Sequence, residues 1–232
     1  MATKPELSAT AAADDLTKLA PLLRTWTKHA AVSLGSYLGA NAAVREAHKL
    51  ERQADPMANT YGGECVMMTA LRVYALFDSN LSKVSFQRVN KHLKREDVRT
   101  DLCQRAAGWG DGITSPVRSA EIERHILRFR QTYAETDWEA HGRLMSLRNI
   151  NIAHLTEEEV KDSITYAELE RFVALACRLV ADLSLIATGL NSSAVDWIDD
   201  YSRLAYDFWA DHFTMGNDVD LPPWNEVKGL SL

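Results

Sequence analysis

Apolar residues recur at helical spacing in long runs along this chain, and the runs predict a succession of helices. The first is expected from about Pro21 to Ala54. Leu22, Leu23, Trp26, Ala30, Val32, Leu34, Tyr37 and Leu38 form a broad apolar stripe there, and Pro21 suits a first helical turn. The Ala/Thr/Ser-rich residues before it, Met1 to about Leu16, are expected to be frayed. Gly35 and Gly39 would either bend the helix or admit a close neighbour, and Asp55-Pro56 is a stop signal. A second helix is expected from about Tyr61 to Asp78, ended by Ser79-Asn80. Ser85 is placed to cap a shorter basic helix through Leu93, and another follows from about Asp97 to Ala107.

The loop-like run Gly108 to Gly112 interrupts the pattern before Ser115-Pro116 opens a helix to about Thr136. Asp137 to Ala153 is helical by pattern and ends near His154. Thr165 to Glu168 has the form of a capping box, opening a very apolar helix that Gly189 stops after Thr188. Its apolar positions cover more than one face, so it belongs at the centre of the fold or in a subunit interface. A last helix, about Ala194 to Thr214, sets aromatic side chains on an acidic scaffold, and Leu221-Pro222-Pro223-Trp224 cannot continue it. No internal repeat or linker divides the chain. The expectation is one all-α domain over residues 1–232, a multi-helix up-and-down bundle with a frayed start (about 1–16) and a tail (about 217–232).

Composition sharpens this picture. With only 11 Gly and 6 Pro in 232 residues, the chain lacks the frequent turns of a many-stranded β fold. The three cysteines, Cys65, Cys103 and Cys177, have no metal or redox spacing and read as free thiols of a reducing compartment. No signal-peptide core and no run of ~18 apolar residues is present, so a cytoplasmic protein with no membrane partner is expected. The net charge of −6 argues against a general nucleic-acid coat protein. That charge lies wholly in residues 194–232, where eight acids face Arg203 and Lys228. The run from Lys83 to Arg105, by contrast, holds seven bases against Glu96, Asp97 and Asp101. It reads as a solvated helix surface or a local basic face.

One segment carries candidate chemistry. Leu147-Arg148-Asn149-Ile150-Asn151-Ile152-Ala153-His154 sets an Arg, a polar residue directly after it, and a His six positions along. A His near its ordinary pKa can take the proton from a ribose 2′-hydroxyl or supply one to the leaving oxygen. An Arg stays charged and grips a phosphate with two donors as negative charge grows. Such chemistry needs no metal, and the 2′-hydroxyl nucleophile restricts it to RNA. On an ideal helix six residues separate the two side chains by about 120° and about 9 Å, so one straight helix does not close the site. Either the helix ends between them or a two-fold mate supplies the other half. The acids Glu157, Glu158 and Glu159 would favour a protonated His154 if the helix continues past it. The plain structural alternative has Arg148 pairing with a carboxylate and His154 capping a helix end.

Arg148-Asn149 followed by His154 in an all-helical chain resembles the signature of the HEPN superfamily: Arg, a polar residue, then His after four to six intervening positions, here five. Leu147-Arg148-Asn149 to Ala153-His154-Leu155, with Ala70-Leu71-Arg72-Val73-Tyr74-Ala75-Leu76-Phe77-Asp78 upstream, is similar to bacterial AbiU-type abortive-infection proteins. The resemblance implies a helical bundle that dimerises through the motif-bearing helices and cleaves RNA in phage defence or a toxin–antitoxin setting. Arg148 and His154 would be the catalytic pair and Asn149 the accompanying polar residue. RNA, a second copy and an antitoxin protein are the implied partners; neither metal nor cofactor is expected. Since not every HEPN protein is a nuclease, a non-catalytic helical dimer serving as a binding or regulatory module is the alternative.

The other candidates are weaker. His29, His48, His92, His125, His141 and His212 form no ligand set and read as surface or capping groups. Gly108 to Gly112 lacks the Lys-Ser/Thr of a phosphate loop. The aromatic residues of the last helix read as core or interface.

Overall fold

In a computed structural model, the described residues are 7–52, 56–109, 115–147 and 164–213. They form α1 (Ala9–Lys49), α2 (Pro56–Leu76), α3 (Phe86–Leu93), α4 (Glu96–Ala107), α5 (Ser115–Ala134), α6 (Trp138–Leu147), α7 (Tyr166–Thr188) and α8 (Trp197–His212), with a 3-10 turn at Ala194–Asp196. Among the described residues there is no strand, and the protein is an all-α helical bundle.

α1 is the spine. Its 41 residues span about 60 Å, and α2, α7 and α8 lie along it. It begins at Ala9, well before Pro21, which therefore sits inside the helix. The expected fraying up to about residue 16 does not hold from Ala9 onward, because Ala12, Ala13 and Leu16 are fully buried. Their burial outweighs the preference of Pro21 for a first helical turn. A proline in a helix frees the carbonyl four residues earlier. Here Thr17 and Pro21 both face solvent, so water can satisfy that carbonyl.

The buried face of α1 also differs from the expected stripe. Leu23, Ala30 and Leu34 are in the core, whereas Leu22 and Trp26 are about half exposed. Farther along, Gly35, Ser36, Gly39, Ala40, Ala43 and Ala47 make a seam of small buried residues. Gly35 and Gly39 serve close helix approach. A Cβ on Gly35 would stand 2.6 Å from the Ile198 carbonyl oxygen, and one on Gly39 would overlap the Ser202 carbonyl.

α7 is the central helix. Leu169, Phe172, Val173, Ala176, Leu179, Val180, Leu183 and Ile186 are all buried, on several faces. Thr165 and Glu168 make the reciprocal capping box at its start, and Gly189 ends it in the left-handed conformation, φ 68°. The ring of Trp109 packs over Gly189. Ser85 caps α3 as expected. Pro56 opens α2 rather than merely ending the helix before it. The three cysteines are free, and burial pushes the Cys177 thiol up to about 12. No described helix is long and apolar enough to cross a membrane.

Candidate functional site

Arg148, Asn149 and His154 lie outside the described residues, as do Glu157, Glu158 and Glu159. What the structure gives is the frame on either side of them. α6 ends at Leu147, immediately before Arg148. Ala140 and Leu144 are fully buried, and Leu147 packs against the main core. On the far side Ile164 also packs against that core, and the capping box of Thr165 and Glu168 starts α7. The described chain thus meets the core at Leu147 on one side of the motif and at Ile164 on the other.

Both anchors are aromatic and ionic as well as aliphatic. His141 of α6 is buried, stacked 5.7 Å from Tyr74 of α2 and edge-on to Trp138 and Phe172. Burial lowers its pKa from the ordinary value, partly opposed by a hydrogen bond to the Tyr74 backbone and by the charge of Asp78. Tyr166, the first residue of α7, stacks on Tyr37 of α1 at 5.3 Å. Arg143 of α6 donates to Glu168, which ties α6 to the start of α7. The Thr165 backbone N–H, 2.8 Å from Glu168 Oε2, lowers the Glu168 pKa; the Thr165 hydroxyl and Arg143 act in the same sense against burial.

Two histidines that read as surface groups are held by aspartates instead. Asp182 of α7, almost fully buried, accepts from Nε and Nη2 of Arg128 and stands 2.8 Å from His125 Nδ1. Asp15 of α1 accepts from Arg88 Nε at 2.8 Å and stands 2.9 Å from His92 Nε2. These clusters also reinterpret the basic run. Arg88 pairs with Asp15, Arg95 with Asp97, and Arg105 with Asp14 and Asp101. Most of its arginines therefore hold the helices together rather than face a ligand.

Two cavities flank α6. One, of about 320 Å³, is lined by Glu135, Asp137, Glu168, Arg171, Phe172 and Arg178; Glu135 pairs there with Arg178, and Glu168 with Arg143 of α6. The other, of about 540 Å³, lies between α3 and the α5–α6 corner. It joins Gln87, Asn90, Lys91 and Lys94 to Tyr133 and Trp138, with no acidic residue in its lining. Sequence reasoning missed it. Its only signal was the polar spacing 87, 90, 91 and 94 on one face of a short helix. Among the described residues, no three His, Cys, Asp or Glu side chains are grouped to hold a metal.

An all-helical bundle whose Arg-Asn…His segment joins two core-anchored helices is a HEPN-type architecture. The family model described as AbiU2 matches residues 36–208, and the chain belongs to this AbiU2 family of HEPN proteins. No curated protein and no solved structure matches the chain.

Proposed function

We propose that the protein is a metal-independent endoribonuclease of HEPN type, working as a homodimer in phage defence or a toxin–antitoxin system. The observation that carries this reading is that the AbiU2 match spans the whole Arg148-Asn149…His154 segment. The anchoring of α6 and α7 on either side supports it, because catalytic groups need a rigid frame.

In this mechanism His154 accepts the proton of a ribose 2′-hydroxyl, and the 2′-oxygen attacks the adjacent phosphorus. The bond to the 5′-oxygen breaks, and that oxygen leaves with a proton from an imidazolium. The products carry a cyclic 2′,3′-phosphate and a 5′-hydroxyl. Arg148 stabilises the charge gathering on the non-bridging oxygens, and Asn149 orients a group across the dimer cleft. The two-fold supplies what a single straight helix would not, since on an ideal helix positions six apart do not share one face.

The test is purified protein with mixed RNA in excess chelator, beside His154→Ala and Arg148→Ala. Cleavage by the wild type should fall at least 100-fold in either variant, with unchanged circular dichroism and sedimentation. Equal cleavage by all three proteins would remove the assignment.

A further inference from the structure

The 540 Å³ cavity has the build of a ligand site rather than a packing defect. One wall is aromatic: Trp138, 44% exposed, stands edge-on to Tyr133 with ring centres 5.8 Å apart. His141 also packs edge-on to Trp138 at 5.5 Å, so two rings hold the indole. The facing wall is the polar side of α3. Lys91 and Lys94 are exposed there and, among the described residues, have no acidic partner, unlike the neighbouring Arg88, Arg95 and Arg105. Between the walls lies Asn90, only 8% exposed, whose side chain lines the cavity. Its amide opens onto the cavity, where a ligand offering a donor and an acceptor can satisfy both of its ends.

An exposed aromatic ring, an amide lining the cavity and two ammonium groups in an acid-free lining match a base, its edge and its phosphates. The volume falls within the usual range for small-ligand sites. We propose that this cavity is a single-stranded RNA subsite. One nucleotide stacks its base on Trp138, presents the base edge to Asn90, and sets its flanking phosphates at Lys91 and Lys94. The inference rests on the ribonuclease reading for its biological role but not for its geometry. Trp138 begins α6 and Leu147 ends it, about 14 Å away along the axis. A strand held at the subsite would therefore extend along α6 toward the end that leads into Arg148. Duplex RNA is excluded, because its bases are already stacked and its phosphates splayed.

The probe is a fluorescein-labelled single-stranded 2′-O-methyl RNA, which cannot be cleaved by 2′-hydroxyl attack, titrated with the full chain and followed by anisotropy. Trp138→Leu should raise Kd about tenfold through lost stacking. The double variant Lys91→Ala/Lys94→Ala removes two phosphate contacts from an exposed helix face. It should lower the slope of log affinity against log salt by about 1.4, an effect that a packing change alone would not produce. No binding by the wild type, or the same Kd and salt slope in all three proteins, overturns the subsite. Cleavage of ordinary RNA is measured in parallel. Cleavage with pocket-independent binding leaves the nuclease and rejects the subsite. Pocket-dependent binding without cleavage keeps the subsite and rejects the nuclease.

Discussion

His141 shows how much one side chain depends on neighbours far away in sequence. Its ring fills a slot formed by Tyr74, Phe172 and Trp138, and Nε2 is buried with no hydrogen-bond partner among the described residues. The folded state therefore favours the neutral imidazole, with a pKa below the ordinary 6.5. The unfolded chain then binds the proton more readily, so the contribution is fully present above pH 6.5 and is lost as pH falls through the folded value. His141→Phe keeps an aromatic ring in the slot and removes the titration. Melting temperatures measured from pH 7 to pH 5 should fall less steeply for the variant than for the wild type. Parallel pH profiles would show that His141 is not the group responsible. From the sequence this residue, like His92 and His125, read as a surface or capping group, because no ligand spacing joined it to another. Asp15 lies 77 residues from His92, and Asp182 lies 57 from His125. Pairings of that range follow from helix packing and leave no local mark.

Helix ends were legible where their chemistry is local, and so was the many-sided burial of α7, whereas the buried stripe of α1 was not. Ser85, the Thr165–Glu168 box and Gly189 cap their helices where their residue types place them. Pro21 misled for the complementary reason: its local preference is real, yet Ala12, Ala13 and Leu16 gain more by burial against the bundle. The two glycines of α1 left bending and close approach open, and the seam with α8 decides for approach. This gives opposite signs for one kind of substitution. Gly39→Ala gains helix propensity of about 1 kcal/mol but drives a methyl into the Ser202 carbonyl and the Tyr206 amide, so the net effect is a loss of about 1–3 kcal/mol. Gly63 lies in α2 with nothing within 4 Å of an added Cβ, and Gly63→Ala should stabilise by about 0.5–1 kcal/mol. Urea unfolding of the pair checks this. A stabilised Gly39→Ala would mean that α8 can move off α1 at little cost.

Across the whole molecule, the described residues on either side of the motif, Leu147 and Ile164, pack against one core. The motif itself was legible because an Arg, its polar neighbour and a His form a short local pattern. The cavity beside α6 was not, since it gathers Asn90, Lys91, Lys94, Tyr133 and Trp138 from three helices. What the spacing leaves open is convergence, since on an ideal helix six positions would set two side chains about 120° apart. If the cleft is built across a two-fold, each protomer can lend a different group to the same phosphate. Arg148→Ala and His154→Ala, each inactive alone, then complement one another: a mixed dimer keeps one guanidinium from one protomer and one imidazole from its partner. Random exchange makes about half of the dimers mixed, so a mixture should recover a measurable fraction of wild-type cleavage, below one half. Native mass spectrometry establishes that subunits have exchanged. Exchanged dimers with no recovered cleavage would assign both groups to a single protomer, and a protein that sediments as a monomer while cleaving RNA would do the same. Recovery requires that the arginine and the histidine act across the interface.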